Sequence, residues 1–231
     1  MKFSQAKPGK RGWWCCAGVA LLCCAPSLFA EQANMVLTGV GDNGVLGGIY
    51  VGPYVATING VTTDVICDDF VDESSVGEQW TANVSTLSDL SKTKWGSSAS
   101  QQYQQVAWLS LQLMNPPTSC GNANCAGDIQ YAIWEVFDPP SSGLDPFDYL
   151  SGQDKTNAKW WLSQAQQNYA GVDYSNIAIY TPVNGGPPQE FVTVKTPEPP
   201  LVALLMVNLF GILALFFVYR RRRARLQLAL S

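Results

Sequence analysis

The 231-residue sequence contains no histidine, and this absence narrows the chemistry open to the chain. Histidine is the usual general base of serine and cysteine hydrolases and the commonest side-chain ligand of transition metals. The sequence therefore speaks against ordinary hydrolases and zinc enzymes. We predict that the protein is not an enzyme, and we expect no catalytic residue, no metal site and no cofactor.

Basic residues are scarce in the middle of the chain. Residues 31–196 hold 5 basic and 17 acidic side chains, a net charge of −12, while the remaining basic residues lie near the two termini. An acidic surface of this kind repels phosphate backbones. We therefore expect no nucleic-acid partner for this segment, which we predict to be one folded domain.

The N-terminal segment is typical of a secretory signal peptide. A basic stretch comes first, an apolar run covers residues 13–24, and small residues precede Ala30. The apolar run is short for a membrane span, which takes about 20 residues. We predict that residues 1–30 are a signal peptide cleaved after Ala30. A lipoprotein signal at Cys23 or Cys24 and an uncleaved N-terminal anchor are the alternatives.

A second hydrophobic stretch lies at residues 201–219, where Asn208 is the one strongly polar residue. At a rise of about 1.5 Å per residue, this stretch spans about 28 Å, enough to cross a bilayer. Positive residues that flank a span stay in the cytoplasm. Four of them follow at once: Arg220, Arg221, Arg222 and Arg223. The pattern predicts a transmembrane helix that leaves residues 31–196 outside the membrane and the C-terminus in the cytoplasm.

Pro197, Glu198 and Pro199 directly precede this stretch. Together with the hydrophobic helix and the arginines, they resemble a PEP-CTERM sorting signal over residues 197–231. In that family an exosortase-type membrane transpeptidase is thought to cut near the motif and to pass the protein to the envelope and its exopolysaccharide. Pro200, where the family often has Ser or Thr, and the residues beyond the arginines depart from the pattern. The alternative is a permanent C-terminal anchor.

The sorting-signal resemblance implies a function and a set of partners. It implies an exported protein of the cell envelope or extracellular matrix, with a structural or adhesive role. The implied partners are the membrane, an exosortase-like transpeptidase and exopolysaccharide. The protein is expected at the cell membrane, or released to the cell surface or matrix after processing.

Periodicity in the central segment predicts an α+β fold, with a β-rich N-terminal part and three helices inserted before two C-terminal strands. A single transmembrane helix follows this domain. Turn signals at Gly41-Asp42-Asn43-Gly44 and Asn59-Gly60 indicate tight hairpins. The predicted strands cover residues 35–40, 48–58, 62–70, 79–87, 177–180 and 190–194, and the predicted helices cover residues 103–114, 129–137 and 154–170.

Three cysteines remain after removal of the signal peptide, which is an odd number for an oxidising compartment. Cys120 and Cys125 enclose four small or polar residues, a spacing that permits a local disulfide between them. This pairing leaves Cys67 without a partner cysteine. A lone cysteine in a secreted protein should oxidise, pair between chains or be protected by another bond.

Residues 129–134 read Ile-Gln-Tyr-Ala-Ile-Trp, an apolar-Gln-x-x-apolar-Trp pattern. With Ile66-Cys67 upstream, it resembles the thioester domains of bacterial surface adhesins. There a strand cysteine is joined to a glutamine side-chain carbonyl with loss of ammonia, and the bond captures a surface amine or hydroxyl. The resemblance implies a single-use thioester between Cys67 and Gln130 that reacts with surface amines or hydroxyls.

An apolar collar that includes Trp134 and Phe70 would slow hydrolysis of such a bond. Asp68 departs from the adhesin pattern, which often has Gln at this position, and a carboxylate there raises the pKa of a cysteine. The alternative is a buried thiol, with Gln130 hydrogen-bonded to backbone in the same core.

Two further groups of residues have a functional and a structural interpretation. Asp68, Asp69, Asp72 and Glu73 carry the oxygens that Ca²⁺ prefers, but their spacing does not match an EF-hand loop, and we expect a solvated end of a strand. The tryptophans could stack on sugar rings, although most lie on predicted apolar faces and are expected in the core. These are Trp80, Trp95, Trp108, Trp134, Trp160 and Trp161.

Overall fold

The computed structural model describes residues 32–116, 120, 122–138, 143–195 and 209. They form an α+β domain, which confirms the predicted fold class. The elements follow in the order β1 (Gln32–Gly39), β2 (Val45–Leu46), β3 (Ile49–Tyr50), β4 (Tyr54–Ile58), β5 (Val61–Cys67), β6 (Gln79–Ser85), α1 (Ser100–Met114), α2 (Cys125–Phe137), α3 (Gly152–Asn168), β7 (Ile177–Pro182) and β8 (Phe191–Val194).

Six of the strands close into an antiparallel barrel in the order β1-β4-β5-β8-β7-β6, with β6 paired back to β1. A barrel of so few strands has a narrow interior, which side chains fill. Alanines therefore occupy one inward position on each of several strands, namely Ala33, Ala56, Ala82 and Ala178. Closure pairs each of these six strands on both sides, so the barrel itself has no open edge.

Helices α1 and α2 pack against barrel strands β8 and β5, and α3 packs mainly against these two helices. Strand β7 is buried along its whole length because its two faces meet different cores. Ala178 and Tyr180 face the barrel interior, whereas Ile177 and Ile179 belong to the cluster formed with the helices. The alternation of a strand, with successive side chains on opposite faces, thus produces two apolar cores from one continuous apolar sequence.

The prediction of one strand over residues 48–58 is wrong, because the strand is interrupted at Gly52 and Pro53. Proline has no backbone N–H to donate to a strand ladder. The residues before the break form β3, which pairs with β2 in a separate hairpin, and those after it form β4 of the barrel. The predicted turn at Asn59-Gly60 is confirmed: both residues have positive φ, 52° and 84°, and they join β4 to β5.

The predicted targeting segments lie outside the described residues. These are the predicted signal peptide 1–30, the motif Pro197 to Pro199, the arginines 220–223 and, apart from Leu209, the hydrophobic stretch 201–219. Within the described part of the chain, no helix has the length and apolar character needed to cross a membrane.

Candidate functional site

Cys67 and Gln130, 63 positions apart in sequence, meet at one end of the barrel. Cys67 is the last residue of β5, and its side chain joins the cluster inside the barrel. Gln130 lies in the second turn of α2, and its Nε2 donates a hydrogen bond of 2.6 Å to the carbonyl oxygen of Cys67. Both residues are fully buried. The Cys67 thiol is not part of a disulfide, and the Gln130 side chain contacts the backbone of Cys67.

The environment of Cys67 keeps its thiol protonated. Burial raises the pKa of the thiol well above its usual range, and the Asp69 carboxylate nearby raises it further. The Sγ–H donates to the backbone carbonyl of Asp69 at 3.0 Å. The sulfur is therefore a neutral thiol at neutral pH, and any bond that it forms to carbon must release the proton in the same process.

The carboxamide of Gln130 is held by packing as well as by its hydrogen bond. Its Oε1 is buried and accepts no hydrogen bond from the described residues. Gly52 lies directly against this oxygen: a Cβ built on Gly52 would stand 2.7 Å from Oε1 and 3.1 Å from the ring of Tyr54. Asn43 Nδ2 fixes the Gly52 backbone by donating to its carbonyl at 2.8 Å. A side chain at position 52 would therefore displace the amide.

A cavity of about 470 Å³, here called the barrel-mouth pocket, opens beside this site. It lies where β1 and β5 end and where β4 and β8 begin. Its aromatic walls consist of Tyr50, Tyr54, Phe70, Trp134, Tyr149 and Phe191. The rings of Phe70 and Trp134 stand 5.2 Å apart, so the two residues expected to form an apolar collar do contact each other.

The hairpin of β2 and β3 covers the start of α2. Tyr131 donates its hydroxyl to the carbonyl of Leu46 at 2.9 Å, and a Cβ on Gly127 would stand 2.5 Å from the Leu46 side chain. The hairpin therefore needs a glycine on the helix beneath it. Sequence reasoning missed this cover, and Gly127, a residue that is unfavourable within a helix, was the one local signal for it.

The site thus combines a buried thiol, a carboxamide in contact with the same residue's backbone, and an aromatic cavity beside them. Comparisons with protein-family models, curated proteins and solved structures give no match. Chemically, the arrangement supplies a sulfur nucleophile and an acyl donor in an enclosure from which protein atoms exclude water.

The expected solvated end of a strand is wrong for Asp68 and Asp69, which are fully buried, whereas Asp72 is half-buried and Glu73 is exposed. Lys94 balances two of the charges: its Nζ lies 2.6 Å from Asp69 and 2.9 Å from Asp72. Burial lowers the pKa of Lys94, but the two carboxylates outweigh this effect and raise it. The described residues contain no group of three ligating side chains suited to a metal ion.

Asp68 and Glu190 are both buried in the core. One of the two carboxyl groups must be protonated, because two neighbouring buried negative charges would repel each other. Burial raises the pKa of both groups, the Glu190 carboxylate raises the pKa of Asp68 further, and Asp69 adds to the rise at Glu190. Glu190 accepts hydrogen bonds from the Tyr103 hydroxyl at 2.6 Å, from the Lys94 backbone at 2.9 Å and from the Thr181 hydroxyl. Neither Asp68 oxygen accepts a hydrogen bond from the residues that the structure describes. Glu190 therefore carries the charge and Asp68 the proton.

The structure also places the cysteine pair and several of the tryptophans considered in the sequence analysis. Cys120 and Cys125 are bonded to each other, with Cα atoms 5.7 Å apart, at the start of the helix that carries Gln130. Among the tryptophans, Trp134 and Trp161 are buried, whereas Trp160 is 50% exposed. Sequence reasoning identified the thiol and the carboxamide, and it missed Gly52, Tyr54 and the pocket.

Proposed function

We propose that this protein is a surface adhesin that binds once and covalently, through an internal thioester between Cys67 and Gln130. The observation that carries the proposal is the 2.6 Å hydrogen bond between the Gln130 carboxamide and the Cys67 backbone in a fully buried site. It brings together two residues that are distant in sequence, in an apolar enclosure where a stored acyl group is protected from hydrolysis.

Formation of the bond needs no co-reactant. The Cys67 sulfur attacks the side-chain carbonyl carbon of Gln130, the C–N bond breaks, and the thiol proton leaves with the amide nitrogen as ammonia. An acceptor amine then attacks the same carbonyl carbon, the C–S bond breaks, and a proton from the amine returns to sulfur. The product is an amide link between the acceptor and residue 130, with a free thiol at Cys67.

The raised pKa of the thiol fits this use. A protonated thiol is a poor nucleophile, so the bond should form slowly. Slow formation is sufficient for a group that reacts once after folding, because no turnover follows. The same burial that disfavours the thiolate also keeps water from the finished thioester.

We also propose that residues 1–30 direct export and that residues 197–231 hold the domain at the outer side of the membrane until an exosortase-like enzyme cuts near Pro199. The charge separation supports this topology, because the arginines at 220–223 disfavour transfer across a bilayer. A protease added to intact spheroplasts should digest residues 31–196. Their protection would contradict the topology, and a mature C-terminus that retains the arginines would contradict the cleavage.

The intact mass of the exported full-length protein tests the thioester. The measured mass of the wild-type protein should be one ammonia molecule below the mass calculated from its sequence. The Cys67→Ala variant should have its full calculated mass. Gln130→Ala should abolish the difference in the same way. A disulfide removes only two hydrogens and cannot imitate this loss. If wild-type protein has its full mass, the thioester is refuted, and the site is a buried thiol with Gln130 bonded to backbone.

A further inference from the structure

The barrel-mouth pocket adjoins Cys67 on several sides. Phe191 pairs with Cys67 across the β5–β8 ladder, and the Tyr54 ring packs edge-on against Phe191 with ring centroids 6.1 Å apart. Gln189 donates its Nε2 to the carbonyl of Asp69 at 2.7 Å, and this same oxygen accepts the thiol proton. All three line the pocket. Cys67 and Gln130 are not among the lining residues, so these three side chains form the wall between the pocket and the site of the proposed thioester.

The pocket has the size and surface of a ligand site. A volume of about 470 Å³ lies within the range of small-molecule sites, roughly 300–1,000 Å³. Tyr50 and Tyr149 at its rim are 53% and 49% exposed, and Phe70 stands 5.4 Å from Tyr149. Exposed aromatic rings that border a cavity offer flat apolar faces, and the C–H face of a pyranose ring is complementary to such faces.

The charge of the pocket disfavours an anionic ligand, because the charged residues that line it are the carboxylates Asp72 and Glu73. None of the described residues that line it is lysine or arginine. The Asp72 carboxylate is engaged by Lys94 at 2.9 Å, and Glu73 lies at the exposed rim. A fully charged alkylammonium would lose its hydration among the inner rings without gaining a buried counter-charge. A hydroxylated ring loses less, because the polar side chains of Ser74 and Gln189 also line the pocket.

The absence of histidine restricts the nucleophile. A sugar hydroxyl needs a base to activate it, and the chain has no imidazole to serve as one. An amine attacks through its own lone pair, provided that it is not protonated. The amine of a hexosamine is less basic than an alkylamine, because the electronegative ring substituents withdraw electrons from it. A larger fraction of it is therefore unprotonated, and so able to attack, at neutral pH.

We propose that the barrel-mouth pocket is the acceptor site of the thioester and that it takes a de-N-acetylated amino sugar. The pyranose ring stacks on the rim tyrosines, and the sugar amine attacks the carbonyl carbon of residue 130. The C–S bond breaks, one amine proton passes to the Cys67 sulfur, and a secondary amide joins sugar and protein. This inference rests on the proposed thioester and adds the class of acceptor.

The test compares acceptors on the full-length protein at neutral pH. Glucosamine tetramer, its N-acetylated counterpart, an Nα-acetylated lysine amide and methylamine are supplied at equal concentration, and peptide mass spectrometry follows the adduct on residue 130. Glucosamine tetramer should react about tenfold faster than methylamine or the lysine amide, the gain expected from one or two ring contacts. The N-acetylated tetramer should form no adduct but should slow the glucosamine reaction by occupying the pocket.

Variants separate the pocket from the thioester. Tyr149→Ala and Tyr50→Ala should lower the ratio of the glucosamine tetramer rate to the methylamine rate roughly three- to tenfold. Trp160→Ala, which removes a similarly exposed aromatic ring outside the pocket, should change neither rate. If methylamine labels residue 130 but the tetramer reacts no faster, or if the tyrosine variants react like wild type, the amino-sugar proposal is overturned while the thioester stands. If no acceptor labels residue 130 and no ammonia is lost, both proposals fall.

Discussion

Gly52→Ala perturbs the proposed reaction without replacing either reacting residue. The added Cβ would stand 2.7 Å from Gln130 Oε1 and 3.1 Å from a ring carbon of Tyr54, closer than non-bonded atoms approach. Gly52 does not have a positive φ, so alanine itself is not strained there. Overpacking of this kind costs about 1–3 kcal/mol, which the site can relieve by shifting the carboxamide. A shift of about 1 Å in a reacting group slows a reaction on the order of a hundredfold.

The assay follows the fraction of protein that has lost ammonia, as a function of time after folding, together with the free energy of unfolding in urea. Gly52→Ala should slow the loss about a hundredfold while the protein stays folded. The matched control is Gly186→Ala, where an added Cβ meets no atom within 4 Å, and it should behave like wild type. Ammonia loss at the wild-type rate in a folded Gly52→Ala protein would refute the idea that packing positions the carboxamide.

Two further predictions concern buried carboxyl groups. Burial, reinforced by Asp145, raises the pKa of Glu135 from 4.5 to about 8. As the pH rises, the unfolded chain releases this proton before the folded protein does. The free energy of unfolding should therefore fall by up to a few kcal/mol between about pH 4.5 and pH 8. In urea titrations across this range, Glu135→Gln should reduce that fall. Tyr103→Phe removes the 2.6 Å hydrogen bond to Glu190 and should lower the free energy of unfolding by about 1–3 kcal/mol, with ammonia loss unchanged. A pH slope equal to that of wild type would contradict the first prediction, and unchanged stability the second.

The sequence predicted those parts of the fold that depend on local pattern. The three helices follow from apolar residues repeating at helical spacing, and the β4–β5 hairpin follows from Asn59-Gly60, where both residues take positive φ. Closure of the barrel was not predictable in this way. It depends on pairing β1 with β6 and β5 with β8, contacts between segments that carry no local signal of one another.

The site shows the same division. Cys67 and Gln130 lie in short motifs that can be recognised from sequence, but their contact depends on how α2 crosses the end of the barrel. Asp68 and Asp69 resemble a solvated end of a strand because sequence patterns treat clustered carboxylates as surface residues. Their burial depends on two residues from distant segments. Lys94 pairs with the Asp69 carboxylate, and Glu190 raises the pKa of Asp68, so that Asp68 is buried in its neutral form.

The central claim is tested most directly by the peptides of the exported protein after denaturation and digestion in mild acid, with any remaining thiol alkylated. We predict that the segment containing Cys67 and the segment containing Gln130 are recovered as one joined species, lighter than their sum by one ammonia, and that Cys67 carries no alkyl group. Recovery of two separate peptides, with Cys67 alkylated and Gln130 an intact carboxamide, would contradict the account.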